Sequence, residues 1–145
     1  MTEGRDGIYI AWNIFGDYGT NGSLAAKQMV TFALDRLLGS SKTLVTDLPA
    51  QGVAALSEQP GRYICHILYA SPVKRGNGIE VIEDILPVHD TFVSVMTGGR
   101  PKRVYLAPQG YEIPFTYENG RAEVTVDKFE CHQMIVFEKD DLGGF

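Results

Sequence analysis

Between residues 43 and 138 the sequence contains no long stretch of helical periodicity. Short apolar runs alternate there with turn residues at roughly ten-residue spacing, the pattern of an antiparallel β-sandwich or barrel. Strands are expected over 52–57, 62–70, 90–96, 102–107, 112–117, 121–126 and 133–138. The stretch 79–86 is ambiguous: its β-branched residues favour a strand, but Glu80, Glu83 and Asp84 load it with charge. Residues 40–50 read as a connector closed by Pro49.

One hairpin can be derived from its turn. Asn119-Gly120 calls for a two-residue type I′ turn, because both central residues must take positive φ. That turn pairs Glu118 with Arg121, Tyr117 with Ala122, Thr116 with Glu123, Phe115 with Val124 and Ile113 with Val126. Ile113, Phe115, Tyr117, Ala122, Val124 and Val126 then share one face, and Thr116, Glu118, Arg121 and Glu123 the other. A slip of one residue would scramble this segregation.

The first 42 residues differ in kind. The nearly continuous apolar run 7–12 suits a strand covered on both faces, as in a parallel sheet. Gly16-Asp17-Tyr18-Gly19-Thr20-Asn21-Gly22 reads as a loop. A helix is expected from Ser23, a good N-cap, to Leu38, with Gly39 as its stop. The fold class expected is therefore mainly β: an antiparallel sandwich of about seven or eight strands, preceded by one strand and one α-helix. The expected division is 1–42, 43–139 and a tail 140–145.

Composition sets limits. The 145 residues are 44% hydrophobic and 21% charged, which is globular composition. No apolar run approaches the roughly 20 residues that span a bilayer, and the polar start Met1-Thr2-Glu3-Gly4-Arg5-Asp6 lacks the basic and apolar regions of a signal peptide. These features favour a cytoplasmic protein without a membrane partner. The net charge of −5 opposes nucleic acid as a partner. Cys65 and Cys131 are too few for a disulfide framework, and whether they pair is open.

Catalytic motifs are sparse. His66, His89 and His132 form no HxH, HxxxH or HExxH arrangement, and adjacent Cys131 and His132 point to opposite faces of a strand. No metal site and no cofactor are expected. His66, between Ile64 and Leu68 on one side of a strand, reads as a semi-buried, hydrogen-bonded histidine. Cys65 reads as a small core residue. The glycines at 16, 19 and 22 match neither GxGxxG nor a P-loop, and Asp17 would repel an anion. Glu80, Glu83, Asp84, His89 and Asp90 form the densest acidic group, most simply a solvated face. Trp12, Tyr18, Tyr69, Tyr105 and Tyr111 are candidates for stacking on sugar rings. No catalytic residue is assigned, and no carbohydrate-binding residue can be singled out.

A family resemblance can be added. Gly61-Arg62-Tyr63-Ile64-Cys65-His66-Ile67-Leu68-Tyr69 resembles the "R-hydrophobic-hydrophobic-x-H-L-L-N-Y" strand near the C-terminus of bacterial β-galactosidase-like glycoside hydrolases, with Tyr69 departing from the Asn-Tyr in which that strand usually ends. Val81 to Asp90 resembles their "VIEDIIPL" segment. Arg103 to Gly110, followed by Ile113-Pro114-Phe115, resembles their "V-x-L-A-P-x-G-x-x-L-P-F" strand pair, and His132-Gln133-Met134-Ile135-Val136 their closing "H-x-M-V-V". Upstream, 7–38 followed by Thr46-Asp47-Leu48-Pro49 is similar to the end of their flavodoxin-like trimerisation domain. The resemblance implies a non-catalytic C-terminal accessory or assembly domain, since the catalytic (β/α)8 barrel needs about 250 residues and has no room here. The implied partner is an upstream catalytic domain or subunit of a glycoside hydrolase, with self-association and carbohydrate as further candidates. Two alternatives are a carbohydrate-binding sandwich module and a small autonomous ligand-binding β-protein.

Overall fold

The computed structural model describes residues 1–5 and 7–140. The tail expected over 140–145 lies, beyond Asp140, outside the described residues. The chain divides into two compact units, Met1–Lys42 and Thr43–Phe145.

The first unit opens with β1 (Thr2–Glu3) and β2 (Ile8–Tyr9), paired antiparallel. This corrects the expectation of a buried parallel strand over 7–12. Tyr9 and Trp12 are exposed, and Ile8 pairs locally with Glu3. With no parallel neighbour available, the nearest backbone supplies the hydrogen bonds.

The loop expected over 16–22 is instead a helix, α1 (Ile14–Asn21). Its ends explain it. The Asn13 side chain accepts the Gly16 N–H at 3.1 Å, and Gly22 closes the helix in the left-handed region with its N–H on the Tyr18 carbonyl. Asp17 lies in the first turn, where the helix dipole favours an acid, and accepts from Asn21 Nδ2 at 2.7 Å. A side chain at Gly16 would overlap Asn13, so the glycine that looks like a loop residue is what lets the cap close. The expected helix forms as α2 (Leu24–Leu38), with Ser23 Oγ accepting the Ala26 N–H and the Gly39 N–H donating to the Asp35 carbonyl. Arg36 holds Glu3 by two bonds of 2.8 and 3.1 Å. This unit buries Ile14, Ala26 and Ala33 but leaves Phe15, Leu24, Phe32, Leu34, Leu37 and Leu38 46% or more exposed.

The second unit is a two-sheet β structure, as expected. Its strands are β3 (Leu44–Thr46), β4 (Val53–Gln59), β5 (Arg62–Leu68), β6 (Val73–Gly76), β7 (Ile79–Val81), β8 (Pro87–Met96), β9 (Arg103–Ala107), β10 (Tyr111–Glu112), β11 (Thr116–Glu118), β12 (Arg121–Glu130) and β13 (His132–Glu138). One sheet has the order β10-β9-β13-β5-β4, the other β11-β12-β8-β3, and β6 with β7 forms a separate ribbon. All ladders are antiparallel. The two sheets share one core. Cys65, Ile67, Val104, Ile135 and Phe137 come from the first sheet, and Val93, Val95, Ala122, Val124 and Val126 from the second.

The hairpin register holds where it is laddered: Glu118 with Arg121, Tyr117 with Ala122, Thr116 with Glu123. Asn119 and Gly120 both take positive φ, 51° and 81°. Its outer half is corrected, because the strand expected over 112–117 breaks at Pro114. Tyr111–Glu112 belongs to the five-stranded sheet and Thr116–Glu118 to the four-stranded one. The Ile113 N–H donates to the Val104 carbonyl, so Phe115–Val124 and Ile113–Val126 are not ladder pairs. Pro114, with no N–H to give a ladder, marks the crossing between sheets. Ile113, Phe115 and Tyr117 still pack against the core.

β3 lies in the expected connector. It pairs with β8 and is locked by side chains: Thr46 Oγ1 donates to the Phe92 carbonyl at 2.7 Å, and Asp47 Oδ1 accepts the Phe92 N–H at 2.8 Å. Of the ambiguous 79–86, residues 79–81 form β7 and the remainder forms no regular element.

Candidate functional site

Strand alternation places residues 63, 65 and 67 of β5 toward the core and 62, 64, 66 and 68 on the outer face. Register then writes that face in rows. Val53, Leu68 and His132 lie side by side; so do Ala55, His66, Met134 and Ala107; so do Ser57, Ile64, Val136 and Tyr105. The fourth row is charged, with Arg62, Glu138 and Arg103, and Arg103 Nε donates to Glu138 Oε2 at 2.8 Å. Three rows of this outer face are therefore mostly apolar. Solvent-facing sheets normally alternate apolar-in with polar-out. The outer face of the four-stranded sheet is mixed. There Arg121 donates to Ser94 Oγ at 2.8 Å and to the Ser94 carbonyl at 2.9 Å, and Ser94 Oγ donates to Glu123 at 3.1 Å.

The fold brings His66 and His132 together in the middle of the apolar rows. His66 Nδ1 lies 3.0 Å from His132 Nε2. The ring planes are 2° apart and the centroids 5.3 Å apart. The nitrogen–nitrogen distance plus one ring radius on each side accounts for the whole centroid separation. The rings therefore meet edge to edge in one plane, not face to face, and the contact is a linear hydrogen bond. One nitrogen carries the proton and the other accepts it. Both lone-pair directions run along the same short line, which leaves no room for a metal ion between them. The expectation of a hydrogen-bonded, semi-buried His66 matches this environment; its partner, 66 residues away, required the β5–β13 register.

His89 lies on β8 opposite Lys128 in the other sheet. Among the described residues no group of three or more His, Cys, Asp or Glu side chains is placed to hold a metal. Cys65 is fully buried and Cys131 exposed; both are free thiols. Burial pushes the Cys65 thiol up to about 12, far from nucleophilic use. The acidic group does not converge on a reaction centre. Glu83 is held by both arms of Arg75, which keeps its carboxyl below the ordinary range, and Glu80 stands opposite Lys74. The aromatics are dispersed as well. Tyr69 packs against the core, while Tyr105 faces outward with the Arg103 guanidinium 5.0 Å over its ring. Tyr111 is exposed but points to the opposite side from Tyr105. Trp12 and Tyr18 belong to the first unit.

Two grooves mark the second unit. One of about 360 Å³ is lined by Tyr63, Arg100, Phe137, Glu138 and Lys139 among others; Lys139 there pairs with Glu58 and lies over the Tyr63 ring, Glu138 pairs with Arg103, and the Arg100 guanidinium lies over the Phe115 ring. The other, of about 350 Å³, runs past Pro114 and Phe115 along the exposed side of β12. Neither is an enclosed space with converging polar groups, as an active site would be.

No family model and no curated protein sequence matches the chain. The chain is similar to part of an alpha-L-fucosidase isoenzyme 2 from Paenibacillus thiaminolyticus. Identity is 54% over 93% of this chain, with a TM-score of 0.89. The chain spans only 21% of that protein's length. The likeness to glycoside hydrolases thus stands; the relative found is named a fucosidase and not a β-galactosidase. The sequence missed Val53, Leu68 and Met134 as a surface. The signal was there in Ile64–Leu68, a strand apolar in both alternations except at His66.

Proposed function

We propose that the chain is a non-catalytic accessory and assembly part of a glycoside hydrolase, working beside a catalytic domain outside these 145 residues. The observation that carries the reading is the 54% identity over nearly the whole chain to about a fifth of a fucosidase. The geometry fits: the sandwich core is filled, the acidic residues are dispersed, and Cys65 is inert. In this reading residues 1–42 are the end of an α/β domain, 43–139 the sandwich and 140–145 a tail. The half-exposed apolar residues of α2 are what a helix cut from a larger α/β layer would show. The match to a fucosidase favours a fucosidase-type parent over the β-galactosidase-like parent that the motifs imply. Purified chain should release no 4-nitrophenol from aryl α-L-fucosides or aryl β-D-galactosides above the buffer rate. Enzyme-like turnover that survives repurification and is lost on a single substitution would overturn the proposal.

A further inference from the structure

The helix α2 is apolar on two sides, and a truncated α/β layer explains only one of them. Ala26 and Ala33 are buried, which fixes the inward side of the helix. On that side Val30, Ala33 and Leu37 line a groove of about 380 Å³ together with Ile8, Ile10 and Ile14. This is the side that a larger layer would cover. At about 100° per residue, Leu24, Lys27, Thr31, Asp35 and Leu38 fall in a stripe on the opposite side, with Leu34 at the border between the two. Leu24 is 69%, Leu34 50% and Leu38 46% exposed. Steps of three and four residues along one stripe are the seam by which two helices pack. We propose that this stripe is a self-association surface, on which α2 of a second copy of the chain packs antiparallel about a two-fold axis at Thr31. The proposal stands on the first unit alone and does not depend on the accessory-domain reading.

The order of residues along the stripe selects a second copy. With the axis at Thr31, Leu24 meets the partner's Leu38, Lys27 meets the partner's Asp35, and Gln28 meets the partner's Leu34. Symmetry repeats each contact, so two apolar pairs and two opposite-charge pairs form at once. A parallel arrangement would instead set lysine beside lysine and aspartate beside aspartate. Among the described residues Lys27 has no ion-pair partner. Asp35 holds Lys42 at 2.5 Å but its side chain is 52% exposed, and a carboxylate accepts more than one donor. Thr31 is small enough to sit on the axis, and its hydroxyl already donates to the Lys27 carbonyl at 3.0 Å, so it does not lose its acceptor when water leaves. Beside the stripe a hollow of about 370 Å³, lined by Leu24, Gln28, Phe32 and Asp35 among others, receives the partner's Leu34. A helix of 15 residues presents a contact about 22 Å long and about 10 Å wide. That lies at the low end of specific interfaces, so the dimer is weak and dissociates on dilution.

Sedimentation velocity of the full chain from about 10 to about 500 µM, at low salt, tests the pairing. A reversible monomer–dimer equilibrium is expected in that range. Lys27→Asp and Asp35→Lys each turn both charge pairs into like-charge contacts and should each weaken dimerisation by about tenfold or more. Mixing the two variants restores opposite charges at both contacts, and the mixture should dimerise at least as well as wild type. Leu24→Lys, at an exposed position, should dissolve the dimer as well, with circular dichroism unchanged in every variant. A chain that stays monomeric throughout the range would overturn the proposal. So would a dimer that neither charge reversal weakens, since apolar adhesion alone would then hold it. Dissolution by Leu37→Lys but not by Leu24→Lys would move the contact to the layer side and overturn it too. Glycosidase assays read separately: turnover by the isolated chain would overturn the accessory reading and leave the dimer standing, whereas an inactive, monomeric chain would do the reverse.

Discussion

Ile67 and Leu68 are neighbours in β5 with opposite surroundings, and truncating each to alanine measures the difference between the two faces of one sheet. Ile67 is 0% exposed in the shared core. Its truncation loses the transfer free energy of the removed carbons and leaves a cavity, together about 3–4 kcal/mol. Leu68 is 41% exposed on the outer face. Only part of its surface is withdrawn from water, and solvent fills the space left behind, so Leu68→Ala should cost about 1 kcal/mol. For a unit of this size each kcal/mol is worth about 4–8 °C, so the two melting temperatures should separate by more than about 10 °C. The assay is thermal unfolding followed by circular dichroism in the strand region. Tryptophan fluorescence is unsuitable, because the single tryptophan, Trp12, lies in the first unit. Equal losses at the two positions would refute the assignment of inner and outer faces, and with it the rows of the candidate surface.

Four further outcomes are expected. Native protein should show one thiol reactive to a disulfide reagent at pH 8, from Cys131, and two after unfolding; fast modification of both would contradict the buried Cys65. Because the folded Cys65 value is raised from 9.0 to about 12, its share of stability is complete below pH 9 and is lost as pH rises toward 12, at about 1.4 kcal/mol per pH unit, which alkaline urea titrations of Cys65→Ala against wild type would reveal. Thr91→Val should stabilise by about 1 kcal/mol, since Thr91 Oγ1 is buried without a hydrogen-bond partner among the described residues; a loss of stability would mean that the hydroxyl is used. Gly120→Ala should cost about 1 kcal/mol or more, from its φ of 81° and the Met96 sulfur 3.3 Å from the added carbon, whereas Asn119→Gly should be nearly neutral.

The His66–His132 bond carries its own test. Long-range nitrogen–proton spectra should show one proton held along the contact between the two rings. Unchanged spectra in His132→Ala would contradict the bond.

What the sequence revealed, and what it hid, follows from the range of the interactions. The Asn119-Gly120 hairpin and the helix Leu24–Leu38 were legible because their turn and caps are written in adjacent residues. The helix Ile14–Asn21 was hidden because Gly16 and Gly19 read as loop residues until the Asn13 cap is seen closing over Gly16. The strand expected near Ile8 assumed parallel neighbours, and among the described residues it pairs only with the antiparallel strand Thr2–Glu3. His66 and His132 became a pair, and Val53, Leu68 and Met134 a surface, only through ladders between segments far apart in sequence.

The central claim, that this chain serves a glycoside hydrolase without catalysing the reaction, is tested most directly by activity in a hybrid fucosidase. With the matching fifth replaced by this chain, the account predicts fucoside hydrolysis within a few-fold of the parent, while the isolated chain remains inactive. A hybrid that cannot assemble, or an isolated chain that turns over glycosides by itself, would contradict it.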